Sequence, residues 1–381
     1  VKLTEAFIRF VKSEQSGGVL LIGCTLLSLA FANSPAGGAW LAFWHTPLGP
    51  LSLEHWINDA LMAVFFLLIG LELERELYVG ELSNPRNALL PVFAAVGGMV
   101  VPALIHAAFN LGTPTIAGFG IPMATDIAFA LGILALLGGR VPPAIKVFVV
   151  AFAVIDDLGA IMVIAIAYTS DLSWRWLAGA AACFVVLVSL NRSLRVMALA
   201  PYLLGGAVLW VCLLNAGIHA SVAGVLLAFA IPFTAKKAGA DSPSHRLEHA
   251  LHKPVAFGVL PLFALANTGV VIDAGAFATV AGANGLGIVL GLLLGKPLGV
   301  SLACLAAVKT RLCELPDGVS AGHVLGAGLL GGIGFTMSIF ITNLAFADSP
   351  DVINGSKLAI LIASLAAGIL GYTCLRKWGH S

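Results

Sequence analysis

Charge is what this sequence has least of. Of its 381 residues 10% are charged and 59% hydrophobic, against roughly 25% charged in an average soluble protein. A chain so poor in charge cannot clothe a water-facing surface, and a mean hydropathy of +1.01 marks it as an integral membrane protein. The formal net charge is only +1, which leaves no basic excess to attract a nucleic acid. Cysteine is also sparse. The six, at 24, 183, 212, 304, 313 and 374, lie mostly inside apolar runs with no CxxC or metal-ligand spacing, so a disulfide or zinc scaffold is excluded and they read as small buried hydrophobes. Soluble segments long enough to fold by themselves are missing too, so residues 1–381 are expected to form a single membrane domain with short connections.

What is present is a series of long apolar runs. Barrel strands would alternate over segments of about ten residues, whereas these runs reach the roughly 20 residues of a spanning helix. The fold class is therefore all-α and polytopic. Between charged and Pro/Gly/Asn punctuation there are twelve stretches: 16–33, 55–73, 88–110, 115–138, 144–169, 173–190, 200–214, 217–235, 254–272, 284–308, 320–346 and 356–375. With a cytoplasmic N-terminus every basic residue falls on the inner side except Arg175, Lys357 and the midspan Lys296. The positive-inside rule then favours about twelve helices with both termini in the cytoplasm. Ala30-Phe31-Ala32 imitates a signal-peptide cleavage site, but the run is expected to stay as the first span.

Two connections stand out. Residues 34–54, on the outer side, carry Trp40, Phe43, Trp44, Pro47 and Gly49-Pro50, which suggests either a hairpin of short aromatic strands or a loop lying at the interface; a partner could dock there. Residues 236–253 form the most charged inner connection, rich in histidine, and suggest a regulatory surface. Interruptions within spans matter as much. Gly118, Gly120 and Pro122 precede Asp126, while Gly331, Gly332 and Gly334 precede Phe335-Thr336. Glycine alone serves close helix packing, but an acid one turn after Pro122 points instead to a discontinuous helix. Non-helical backbone at membrane depth survives only where protein buries it or it lines a cavity. Thr125 to Phe129 and Thr336 to Phe340 share Thr-x-x-x-Phe after their breaks, consistent with spans 3–5 being related to spans 10–12.

Four ionisable residues sit well inside apolar runs: Asp126, Asp156, Asp157 and Lys296. Each costs about 2.5–3.5 kcal/mol at a bilayer centre, so roughly 10–14 together, comparable to the whole stability of a typical domain at about 5–15. Asp126, Asp156 and Lys296 lie close to the midpoints of their runs and could meet at one depth. At 100° per residue Asp156 and Asp157 project differently, so one can meet Asp126 while the other pairs with Lys296. Carboxylates crowded in an apolar site titrate as a coupled group; deprotonated, with Thr125 and freed carbonyls nearby, they offer hard oxygens suited to a small hard cation. Proton and cation then compete for the same oxygens. A network that merely fixes packing is disfavoured because three acids face one base.

Other readings fit less well. An intramembrane aspartyl protease would need Gly-x-Gly-Asp, absent before every aspartate, and Pro102-Ala103-Leu104 precedes the acids instead of following them. A cation channel or proton-driven solute symporter would use the same carboxylates with a wider aromatic or amide lining that the spans lack. Gly291 to Lys296-Pro297 imitates a phosphate loop but has the wrong glycine spacing and no Ser/Thr after the lysine.

The runs WINDALMAVFFLLIGLELERELYVG (56–80), ATDIAFALGILALLG (124–138), VIDDLGAI (154–161), GIHASVAGV (217–225), RLEHALH (246–252), LPLFALANTGV (260–270), LLLGKPLG (292–299) and GGIGFTMSIF (331–340) together resemble the NhaA family of bacterial sodium/proton antiporters, across nearly the whole chain. The resemblance implies a transporter and not an enzyme, in the inner membrane, serving Na+ and pH homeostasis, with an inverted repeat of spans 3–5 and 10–12 and broken helices at spans 4 and 11. Pro122, Gly332, Gly334 and Thr336 mark those breaks. It implies a Na+ or Li+ site at Asp157 and Asp156, with Asp157 the stronger ligand candidate and Asp156 the partner of Lys296. Thr125 and Asp126 would lie at the helix crossing, Asp126 offsetting positive half-helix N-termini and Lys296 negative C-termini. Exchange is expected to be electrogenic, by alternating access, with more than one proton per Na+ and no cofactor. Activation at alkaline pH is assigned to Glu72, Glu76, Glu248, His249 and His252, with His219 a further candidate. From the residues alone, His249 and His252 at i, i+3 with His245 nearby suggest either a metal site or solvated histidines. Glu74 beside Arg75 makes this region more acidic than the family pattern. A homodimer through residues 34–54 in the lipid bilayer is the expected assembly.

Overall fold

In a membrane, backbone groups must be satisfied within the protein, and the apolar runs accordingly fold as helices broken only at Gly, Pro and polar punctuation. The structure, a computed structural model, describes residues 15–169, 172–234, 242–316 and 318–378. In chain order come α1 (Gln15–Ala32), α2 (Gly37–Trp44), the strands β1 (Pro47–Leu48) and β2 (Leu51–Ser52), α3 (Leu53–Tyr78) and α4 (Pro85–Asn110). A 3₁₀ segment, Pro114–Met123, precedes α5 (Ile127–Leu137), followed by α6 (Pro143–Ala167), α7 (Trp174–Arg192), α8 (Leu199–Ala216) and α9 (Val222–Ala230). The remainder are α10 (Pro243–Asn267), α11 (Ala274–Ala281), α12 (Ala283–Lys309), α13 (Ala321–Gly331), α14 (Phe335–Ala345) and α15 (Pro350–Trp378). The protein is an all-α polytopic membrane protein.

Among the described residues nine helices are long and apolar enough to cross a membrane, Pro114–Leu137 counting as one, and α13 with α14, bent by 47°, makes a tenth. The other two of the twelve stretches are the 18-residue α1 and the nine-residue α9. At 1.5 Å per residue α9 is only about 14 Å long, shorter than the 217–235 run suggests. Gly217, in the left-handed region at φ +86°, ends α8, and residues 217–221 stay non-helical.

Three further differences have local causes. The span expected at 254–272 begins earlier, at Pro243, because Ser242 caps the helix by accepting the His245 N–H at 3.2 Å and proline suits its first turn. Residues 243–253 of the charged inner connection are thus helix, and residues 235–241 lie outside the described residues. The same span ends at Asn267; Val270 O, Val271 N and Ile272 N are instead satisfied by the side chains of Asn33 and Asn354 at 2.7–2.9 Å. In the 34–54 segment the tryptophans lie on helix α2, Trp40 stacking on Phe31 at 5.0 Å, and the hairpin is confined to β1 and β2 with Gly49 at φ +69° in its turn. Of the basic residues used for orientation, Lys2, Arg9, Lys12, Lys236 and Lys237 lie outside the described residues.

Contacts fall into two compact units. One consists of Val1–Leu41, Arg86–Gly159 and Ala264–Ser381, the other of Ala42–Pro85 and Ala160–Phe263. The first buries Ala94, Ile121, Phe152, Val300 and Phe340 completely; the second has a core of Leu67, Leu71, Leu187, Tyr202 and Leu227.

Candidate functional site

All four midspan charges belong to the first unit, and their positions follow from two breaks. The Pro114–Met123 segment stops where Ala124 turns extended, at ψ 147°, and Asp126, also extended, becomes the N-cap of α5 by accepting the Phe129 N–H at 3.2 Å. The second break, between α13 and α14, passes closely over α12: a side chain at Gly332 would collide with the Leu292 carbonyl, so this position requires glycine.

The two breaks cross and satisfy each other. Asp126 donates its N–H to Ile333 O at 2.6 Å, and Thr125 Oγ1 donates to Gly331 O at 2.8 Å. In return Thr336 donates both its N–H, at 3.1 Å, and its hydroxyl to Asp126 Oδ2. One carboxylate thereby meets the N-terminal ends of α5 and α14, where helix dipoles favour negative charge. Ser338 Oγ adds a bond to Ile121 O at 2.6 Å, and Phe129 packs edge-on against Phe335 at 4.8 Å. All the polar groups involved are buried.

Lys296 meets the opposite pole. It follows a π-helical turn, Gly291–Gly295, within α12, a distortion that recurs at functional sites. Its Nζ donates to Met123 O, the carbonyl end of the 3₁₀ segment, and to both oxygens of Asp156 at 2.8 and 2.7 Å. The ammonium also lies 5.7 Å from the centre of the Phe152 ring. Both partners of the pair are fully buried. Asp157, 1% exposed, lies within electrostatic reach of Lys296, and Thr125 is within hydrogen-bonding reach of Asp156. The structure therefore brings Thr125, Asp126, Asp156, Asp157, Lys296, Pro122, Gly332, Gly334 and Thr336 to one region, with Asp156 rather than Asp157 on the lysine. Chemically this is a buried cluster of carboxylates and one lysine amine, edged by helix ends.

The residues assigned to pH response lie in the second unit and divide. Arg75 links Glu248, at 2.9 Å, to Glu76, at 2.8 Å; His252 Nε2 lies 3.1 Å from Glu72 Oε1; His245 Nδ1 lies 3.4 Å from Glu248 Oε2. Glu74 accepts from Ser244 Oγ at 2.8 Å. His249 is exposed and takes part in none of these ion pairs. His219 pairs with Asp59 at 3.1 Å and with Ser221 Oγ at 2.7 Å. Asp59, an acid inside the 55–73 run, and Arg75, the link between α3 and α10, are additional to the candidates named from the sequence. The carbonyls of Met123, Gly331 and Ile333 left no trace in the side-chain pattern.

Fold and site together define a polytopic helical membrane protein organised around ionisable groups at two crossed, interrupted helices. Its family follows from comparison: residues 8–375 match the family model described as Na+/H+ antiporter 1, and the chain belongs to that family. It is 62% identical over 374 residues to the Na(+)/H(+) antiporter NhaA of Dechloromonas aromatica, covering 98% of this chain and 96% of the relative. The Na(+)/H(+) antiporter NhaA of Flavobacterium psychrophilum is 54% identical over 376 residues, covering 99% and 97%. That of Escherichia coli O1:K1 / APEC is 50% identical over 379 residues, covering 97% of each chain.

Proposed function

We propose that this protein exchanges cytoplasmic Na+, or Li+, for external H+ at the Asp156–Asp157–Lys296 cluster. The observation that carries the reading is the fully buried two-point contact of Lys296 with Asp156, next to the buried Asp157. In the proton-loaded state Asp157 holds a proton and Lys296 neutralises Asp156. When Lys296 and Asp157 each release a proton, both carboxylates become available, and a small hard cation binds their oxygens. Two protons leave the site for each Na+ that enters it, so two positive charges move inward for each one carried out and the exchange is electrogenic. The breaks supply the moving part: their half-helices are joined by hydrogen bonds around Asp126 and Thr125, and a rocking of one helix set past the other would expose the cluster alternately to each side. Proton competition at low pH makes exchange rise toward alkaline pH, with the Glu72, Arg75, Glu76, Glu248 and His252 cluster as the candidate sensor. The setting proposed is a bacterial inner membrane, both termini cytoplasmic, with a homodimer formed through the 34–54 segment.

In everted membrane vesicles carrying the protein, adding Na+ or Li+ should release luminal protons, read as dequenching of a pH-sensitive dye. Across roughly pH 6.5–9, the range in which groups of near-neutral pKa change state, absence of any cation-linked proton flux contradicts exchange. Asp157→Asn should abolish the signal while the protein still inserts; full activity in that variant removes Asp157 from the site.

A further inference from the structure

We infer that Glu72, Glu248 and His252 form a binding site for a borderline divalent metal ion such as Zn2+, bridging α3 and α10 at a place separate from the Asp156 cluster. One ligand atom from each of the three lies within 4.8 Å of the others. The spacing is close to that of a formed site. Ligands held about 2.0–2.1 Å from a tetrahedral zinc stand about 3.3 Å apart, and His252 Nε2 is 3.1 Å from Glu72 Oε1. The two edges to Glu248 lie within 4.8 Å; small side-chain movements would close them, and the fourth position stays open for water.

Charge favours a divalent ion. Glu72, Glu76 and Glu248 carry three negative charges and Arg75 one positive, leaving two negative charges in the cluster when the histidine is neutral. Arg75 occupies Glu248 Oε1 and Glu76 Oε1, so Glu72 and the second oxygen of Glu248 are the acceptors for the metal. His245, 3.4 Å from that second oxygen, is close enough to hold it in place. One imidazole nitrogen with two carboxylates suits zinc, cobalt or nickel more than calcium or magnesium, which favour an all-oxygen shell. The site is also reachable: the His252 side chain is 60% exposed while those of Glu72 and Glu248 are 16% and 8% exposed. The metal would enter from the histidine side and rest on carboxylates that the fold holds still.

The test is calorimetric titration of ZnCl2 into untagged purified protein in detergent at pH 8, with thermal unfolding followed in parallel. One site per chain is expected, with a rise in Tm on zinc addition. His252→Ala and Glu72→Gln should each weaken binding at least tenfold and remove the Tm rise. His249→Ala, on the same helix outside the cluster, should bind as the wild type does. A wild-type protein that binds zinc no better than His252→Ala, or equal loss in His249→Ala, overturns the site. The gentler His252→Gln serves if the alanine variant fails to fold. Because the readout is equilibrium binding, the result stands apart from whether the protein exchanges Na+ for H+.

Discussion

Lys296 and Asp156 hold each other through two contacts in full burial. Removing one member of such a pair leaves an uncompensated charge and costs about 3–5 kcal/mol, whereas replacing both by neutral groups can be nearly neutral. Lys296→Met alone should therefore lower the thermal stability of the purified protein strongly, and adding Asp156→Asn should restore most of the loss. Additive destabilisation in the double variant would show that the pair is not coupled as described. These residues were legible from sequence because a charge inside an apolar run has no structural excuse. The acceptors that complete the site were not, since Met123, Gly331 and Ile333 contribute backbone carbonyls, and a carbonyl carries no signature in residue type. Arg75 was hidden for another reason: its role comes from contacts with Glu248, 173 positions away.

At the scale of elements, the breaks were visible because Gly and Pro weaken helices wherever they cluster, as at Gly118, Gly120 and Pro122. The start of α10 was masked by the charged stretch 243–253, although Ser242-Pro243 carried a helix-start signal that its histidines and arginine obscured. The shortness of α9 was masked by the opposite effect, apolar residues continuing through a stretch that is not helical. Close approach between helices is equally specific. A side chain at Gly299 of α12 would meet the backbone of Gly97 on α4, the small-residue contact that lets membrane helices approach. Gly299→Val should destabilise by about 1–3 kcal/mol, as overpacking does, seen as a lower Tm in detergent. Gly23→Ala, where nothing lies within 4 Å, should leave it almost unchanged; equal effects would refute this packing account.

For the whole molecule, the proposed assembly is expected to be separable from exchange. In the 34–54 segment Trp40 donates to Ser28 Oγ at 3.3 Å and Trp44 is buried, so removing the entire segment would damage the fold. Replacing only the turn between β1 and β2 keeps those anchors. If this hairpin joins two copies, cross-linking in membranes should show less dimer while Na+-linked proton flux persists; an unchanged dimer fraction would place the contact elsewhere. The class of the molecule, its helices and the cluster of acids were legible in the chain, but the grouping of its contacts into two units was not, because it joins segments far apart in sequence. The central claim is that one buried acid, Asp157, binds the cation in competition with protons. Its most direct test is equilibrium binding of radioactive Na+ to purified wild-type and Asp157→Asn protein over a range of pH. The account predicts wild-type binding that weakens as pH falls and no binding in the variant; pH-independent binding, or binding that survives Asp157→Asn intact, would contradict it.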